Sequence, residues 1–203
     1  MKKYIIWAVV VVLLLIVGGS GCSTYNSFVT LDQEVDQAWA KVEVQYQRRL
    51  DLIPNLVETV KGYAEHESST FENVTKARAG LSEAYNEANS LKDGANLSDP
   101  ASVEKYTAAQ DQLRGAFNVY VNAVREAYPD LKANGQFQDL QAQLESTENR
   151  IAVARGRYTD IVKEYNIKVK RFPARIWAAL FGFSAKPQFK ADEQAAKAPT
   201  VKF

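Results

Sequence analysis

Val35-Asp36-Gln37-Ala38-Trp39-Ala40-Lys41-Val42-Glu43-Val44-Gln45-Tyr46-Gln47-Arg48-Arg49-Leu50-Asp51-Leu52-Ile53-Pro54-Asn55-Leu56-Val57-Glu58-Thr59-Val60-Lys61-Gly62-Tyr63 is the stretch that decides the fold. Its large side chains recur in alternating steps of four and three: Val35, Trp39, Val42, Tyr46, Arg49, Ile53, Leu56, Val60, Tyr63. All but Arg49 are apolar or aromatic. A strand would alternate with period two, so this spacing predicts a long helix with one buried seam. Pro54 lies inside the stripe. It lacks a backbone donor and crowds the preceding turn, which predicts a kink at residues 50–54 rather than a break, because the stripe keeps its phase across it.

Further along, the same periodicity returns three times. Phe71, Val74, Ala77, Leu81 and Ala84 predict a second helix over 69–90. Lys92 to Asp99 reads as a loop, with Ser98 or Asp99 as cap and Pro100 in the first turn of a third helix over 100–128. That helix carries Val103, Tyr106, Leu113, Phe117, Tyr120, Val124 and Tyr128, with Gln110 in one slot. Pro129 ends it, and Asn134-Gly135 marks a turn. The fourth helix, over 137–172, carries Phe137, Leu140, Leu144, Thr147, Ile151, Ala154, Tyr158, Ile161, Tyr165 and Phe172, and Pro173 stops it. Beyond the leader there is no period-two run of β-branched residues and no internal repeat. Four one-sided helices bury their seams most economically side by side, so the expected fold is all-α: an antiparallel four-helix bundle with a long, kinked first helix.

The N-terminal segment stands apart. Lys2 and Lys3 precede an apolar run, Tyr4 to Val17, then Gly18, Gly19, Ser20, Gly21 and Cys22, with no charge until Asp32. The strictly apolar part is about 14 residues, short of the ~20 that a spanning helix needs, but Gly, Ser and Tyr25 can extend it. One reading is therefore an uncleaved transmembrane anchor. The other is a secretory signal whose small residues before Cys22 resemble a lipobox, with Cys22 lipidated and Gly19 as a departure. Residues 1–24 form this anchor or signal segment, 25–183 the bundle, and 184–203 a polar, mobile tail. Lys2 and Lys3 favour a cytoplasmic N-terminus and a body outside the cytoplasm.

Composition removes whole classes of function. Among 203 residues there are 25 Lys+Arg and 24 Asp+Glu, and two of the bases belong to the leader, so nucleic-acid binding has no electrostatic basis. One cysteine, Cys22, excludes a disulfide within the chain and a cysteine zinc site. One histidine, His66, excludes a di-iron Glu-x-x-His site. His66 lies between Glu65 and Glu67, a metal or proton-relay candidate set against a plain helix-end residue. No phosphate loop, nucleophile elbow or zinc-protease motif occurs. The expectation is no enzyme, no cofactor, no metal and no small-molecule substrate. Arg49 interrupts its seam. Either it pairs with Glu145 or Glu148 on the fourth helix, or its stem lies in the seam and its head reaches water. Ile176-Trp177-Ala178-Ala179-Leu180-Phe181-Gly182-Phe183 is apolar and too short to span. It reads as a closing turn docked on the bundle, or as an interface through Ile176, Trp177, Leu180 and Phe181 with a membrane or a partner.

Several of these stretches together resemble the LemA family of bacterial membrane proteins: Arg48-Arg49-Leu50-Asp51-Leu52-Ile53-Pro54-Asn55-Leu56-Val57, continuing to His66-Glu67; Val35-Asp36 and Ala38-Trp39; Thr147-Glu148-Asn149-Arg150-Ile151; and Tyr165-Asn166. The resemblance covers residues 25–189. It implies an N-terminal membrane helix, an antiparallel helical bundle and no established catalytic activity. It marks Arg48, Arg49, Asp51, Pro54, Asn55, His66, Glu67, Glu148, Asn149, Arg150, Tyr165 and Asn166 as family or structural positions. The expected role is a membrane-anchored scaffold or adaptor acting on other envelope proteins. The alternative is a self-assembling structural oligomer, suggested by 10 Tyr and 9 Phe.

Overall fold

In a computed structural model, the backbone is described for residues 2–66 and 71–189, and the side chains of the same residues except 2, 5, 6, 8–10, 13, 14, 16, 17 and 66. The elements are helices α1 (Lys2–His66), α2 (Glu72–Ser90), α3 (Pro100–Ala127), α4 (Gly135–Lys170) and α5 (Ala174–Phe181), with a 3-10 turn at Pro129–Ala133 between α3 and α4. No strand occurs among the described residues. The all-α expectation holds. Among the described residues, no helix is long and apolar enough to cross a membrane.

α1 passes through Pro54 without ending. The amide donor that proline lacks is one hydrogen bond in a helix whose seam is buried on both sides of it, and packing outweighs the loss. α3 starts where Asp99 accepts a hydrogen bond from the Ala101 backbone N–H at 3.0 Å, with Pro100 just inside. α4 starts two residues earlier than the periodicity predicts, because Asn134 is its cap and accepts from the Phe137 N–H at 3.1 Å. The loop after α2 turns at Gly94, whose φ of +85° suits glycine and whose missing side chain leaves room for Glu43 of α1.

α1 and α4 run antiparallel along most of their length, and α2 and α3 form a hairpin against their far half. The core falls into two clusters. Away from the N-terminal run, four helices enclose Leu50, Ile53, Leu56 and Val60 of α1, Leu81 and Ala84 of α2, Leu113 and Val124 of α3, and Phe137 and Leu144 of α4. Nearer that run, α1 and α4 enclose Phe28, Val35, Trp39, Tyr46, Ile151, Tyr158, Val162 and Tyr165. Here α3 contributes only Val103 and Tyr106, and the fourth wall is α5 with the extended segment that follows it.

That segment corrects the tail boundary. Residues 184–189, expected in a mobile tail, lie against the bundle, and Phe189 stacks on Trp39 with ring centroids 5.8 Å apart. Residues 190–203 lie outside the described residues. α5 docks beside α1: Tyr25 meets Phe181 edge-on at 5.0 Å, and Phe28 meets Phe183 at 5.0 Å. Six of the ten tyrosines (46, 106, 120, 128, 158 and 165) are buried, so most of the aromatic surplus fills the core.

Candidate functional site

Between the two clusters lies a polar layer. Arg49, Gln110 and Thr147 are the buried polar residues among those described, one each from α1, α3 and α4. Each occupies a seam position, which is why one polar residue interrupts each of those three stripes. Arg49 Nη1 donates to Glu148 Oε1 at 2.9 Å. Arg49 Nη2 donates to the Gln110 backbone carbonyl at 2.8 Å and to its side-chain Oε1 at 2.6 Å. The guanidinium carbon lies 5.3 Å from the Tyr46 ring centroid. The seam arginine thus pairs with Glu148, while Glu145 faces outward. Thr147 returns its hydroxyl to the Gln143 carbonyl of its own helix at 2.8 Å.

Such a layer joins three helices at one level. A buried charge costs free energy unless it is paired and hydrogen-bonded, so sliding any one helix by a turn would strand the arginine. Among the described residues, Arg49 Nε, Gln110 Nε2 and the Tyr46 hydroxyl have no hydrogen-bond partner. Burial pushes the Tyr46 hydroxyl up to about 12, and Tyr106, Tyr120 and Tyr158 are pushed up for the same reason. These phenols stay neutral at physiological pH, unlike a proton-transfer group poised near 7.

The second constellation is the strap, residues 183–189. Asn166 on α4 reads its backbone as a neighbouring strand would: Nδ2 donates to the Lys186 carbonyl at 2.9 Å, and Oδ1 accepts from the Lys186 N–H at 2.8 Å. The Tyr158 hydroxyl donates to the Pro187 carbonyl at 2.9 Å. Lys186 Nζ lies 3.0 Å from Asp32 Oδ1 and 4.0 Å from Asp36 Oδ1 on α1. Burial holds the Asp36 carboxyl above its usual range, with Lys186 pulling the other way. Burial likewise lifts Tyr165 up to about 12, with Asp32 adding to the shift. Arg155 lies over the Phe189 ring at 4.4 Å and pairs with Asp111 of α3 at 2.7 Å.

The remaining predicted positions scatter. Arg48, Asp51, Pro54 and Asn55 are exposed on α1, Asp51 accepting from Gln47 Nε2 at 2.7 Å. Asn149 and Arg150 line an open groove of about 680 Å³ between α1 and α4, together with Lys41 and Arg157. Cys22 is exposed near the start of the body. His66 ends α1, and its side chain and Glu67 lie outside the described residues. Among the described residues, no three His, Cys, Asp or Glu side chains gather to hold a metal ion. Ile176, Leu180 and Phe181 are exposed, Trp177 half-buried against α1 and stacked on Phe181 at 5.8 Å. The sequence reading missed the strap contacts of Asp32, Asp36 and Lys186. Its one available signal was Asn166, a polar residue beside a seam tyrosine.

An all-α bundle, two of whose long helices run antiparallel, locked by one Arg–Gln–Glu layer and closed by a C-terminal strap, is the class these elements define. The chain belongs to the LemA family, whose model matches residues 38–203. It is 27% identical over 175 residues to magnetosome protein MamQ 2 of Paramagnetospirillum magneticum, covering 82% of this chain and 64% of that one. It is 26% identical over 174 residues to magnetosome protein MamQ of Magnetospirillum gryphiswaldense, covering 81% and 64%. To protein LemA of Metamycoplasma hominis it is 24% identical over 148 residues, covering 72% and 60%. The chain thus spans less than two thirds of the length of these curated relatives.

Proposed function

We propose that this chain is a membrane-anchored, non-catalytic helical scaffold of the bacterial envelope. The observation that carries this reading is the continuity of α1. Its 65 residues run as one helix from the apolar N-terminal run into the seam that holds both core clusters. A helix of that length is about 98 Å long. An anchor joined to a bundle without a hinge sets the bundle at a fixed height and angle from the bilayer, which suits an adaptor. Tyr4, Trp7, Val11, Val12 and Leu15 point outward on that helix, and such a face is stable in lipid rather than in water.

The buried polar groups support the same view. Arg49 is committed to Glu148 and Gln110, and the strap carboxylates to Lys186, so they build the fold rather than wait for a substrate. Lys2 and Lys3 favour a body outside the cytoplasm. Cys22 is the lipidation site if the leader is cleaved, and mass analysis of the mature N-terminus separates a lipidated Cys22 from an intact leader.

The scaffold reading is tested by crosslinking in intact cells, then purification of the full chain from carbonate-washed membranes. Recovery of a defined hetero-complex is the expected result. A chain that washes off the membrane, or remains in it with no crosslinked partner, overturns it. A ladder of the chain with itself alone would replace the adaptor by the self-assembling oligomer.

A further inference from the structure

Among the described residues, nothing covers the outer face of α5. Phe172 is 77% exposed, Ile176 58% and Leu180 69%. On its inner face Trp177 packs where a side chain at Gly21 of α1 would be, while Phe181 and Phe183 follow at Tyr25 and Phe28. Residue numbers therefore rise together on α1 and α5. The beginning of α5, with Phe172 and Arg175, points toward the apolar N-terminal run.

Length decides what lies at that level. Tyr4 to Val17 is 14 residues, a rise of about 21 Å. A hydrocarbon core of about 30 Å needs roughly six residues more, which places its edge near Gly21 to Ser23. Those residues are small and offer little apolar surface of their own. Trp177 stands beside Gly21, so the outward apolar side chains of α5 lie at the same height.

Charge chooses the surface. From Tyr165 to Lys190 the chain has Lys168, Lys170, Arg171, Arg175, Lys186 and Lys190, and no acidic residue. Lys186 is held by Asp32 and Lys168 donates to Ser27, but Lys170, Arg171 and Arg175 are exposed at the head of α5. Apolar side chains flanked by cations at the edge of a bilayer match the interface of an anionic membrane.

We propose that α5, with Phe172 and the cations Lys170, Arg171 and Arg175, is an interfacial collar that binds the anionic lipid surface beside the N-terminal helix. It makes up for the shortness of the apolar run and fixes the bundle's tilt on the bilayer. The collar rests on the anchor proposed above, and the test separates the two.

Full-length chain carrying Cys22→Ser and Leu180→Cys is labelled with an environment-sensitive fluorophore and reconstituted in phosphatidylcholine vesicles with or without a quarter of phosphatidylglycerol. A second variant carries the label at Val119→Cys, an exposed apolar position on α3. Flotation is read first, then quenching by lipids with brominated acyl chains and by aqueous iodide. The expected result is co-flotation of both proteins, with label 180 losing at least half its emission to brominated lipid and label 119 losing little. Quenching at 180 should fall at least twofold without phosphatidylglycerol, and again in Lys170→Glu/Arg171→Glu/Arg175→Glu, whose fold is checked by circular dichroism. Absence of co-flotation overturns anchor and collar together. Co-flotation with label 180 no more quenched than label 119 overturns the collar alone. Protection of label 180 from iodide without quenching by brominated lipid assigns the face to a second copy of the chain and also overturns the collar. Quenching that ignores lipid charge and the triple reversal overturns the anionic preference.

Discussion

The two halves of the bundle are built on different principles. Beyond Arg49, four helices meet around aliphatic residues such as Leu56, Leu81 and Leu113, and every wall is a periodic seam. Before Arg49, two long helices and the start of α3 meet around aromatic residues, Trp39, Tyr106, Tyr158 and Tyr165, and much of the fourth wall is a strap with no periodicity. A helix hides its own backbone hydrogen bonds, so the far half needs only side-chain packing. An extended strap brings bare N–H and C=O groups to the core, and these must be matched by side chains. Asn166 and the Tyr158 hydroxyl do that matching. The half nearest the proposed membrane is therefore the more polar in its construction.

The layer at Arg49 is where the halves join, and breaking it should have the largest effect. Glu148→Ala leaves the buried guanidinium with Gln110 as its remaining partner. Loss of one partner from a buried ion pair costs about 3–5 kcal/mol. The hydrogen bond survives in Glu148→Gln, whose amide oxygen accepts it without the charge, so its loss should be smaller. Denaturant unfolding of both variants in detergent measures the order. Equal stability of Glu148→Ala and the parent would mean that the layer does not couple the halves.

Next in size is Leu113→Ala, which empties a fully buried position of the far cluster. A loss of about 3 kcal/mol is expected. Hydrogen exchange should speed first in α2 and α3, while the strap keeps its protection. Strap amides that exchange as early as those of α3 would show the two halves to be one cooperative unit.

Alkaline pH should act on the halves in the opposite order. Tyr46 and Tyr165 have hydroxyls lifted to about 12 in the folded chain, against about 10 when unfolded. A raised acid keeps its proton in the fold, so the unfolded state gains by ionising first. Their contribution is complete below pH 10 and is lost as pH rises from about 10 through 12. Both belong to the aromatic cluster, as do Tyr106 and Tyr158, while the raised phenol of Tyr120 lies in the far cluster, so the near half carries the larger loss. Near-ultraviolet circular dichroism and strap exchange should therefore fail before the α2–α3 hairpin opens. Simultaneous loss would contradict it.

The contrast also explains what the sequence could disclose. Helix seams announce themselves by spacing, so α2, α3 and α4 were legible almost to their caps and α1 from Val35 to Tyr63, and Arg49 was legible as an interruption that needs either a carboxylate or a path to water. Which carboxylate was not: Glu145 and Glu148 both lie near the level of Arg49, and only the rotation of α4 turns Glu148 inward. Ser184 to Phe189 has no period and two small residues, and it gave no sign of docking. Its receptor residues are ordinary by themselves. Asp32, Asp36, Tyr158 and Asn166 acquire a shared purpose only when the chain returns after α5. The surplus of aromatics pointed to an outer surface, yet a strap too thin to fill a core wall calls for large flat side chains beneath it.

Asn166→Ala should give the smallest effect and the most local one. It removes two hydrogen bonds to Lys186 and exposes one N–H and one C=O of the strap to compensation by water, which limits the loss to about 1–2 kcal/mol. Asn166 is only half-buried, so water can enter. The α2–α3 hairpin and the Arg49 layer should keep their exchange rates. The strap should not, because Lys186 would then be held by the carboxylates of Asp32 and Asp36 and by Tyr158 through its neighbour Pro187. Limited proteolysis should cut near residues 184–189 at least several-fold faster, with the unfolding midpoint nearly unmoved. Asn166→Asp should resemble it more than the parent, since a carboxylate can accept from the Lys186 N–H but cannot donate to its carbonyl. If Asn166→Asp matched the parent, the amide's donor half would be dispensable and the strap would be held by its aromatic rings and Lys186 instead.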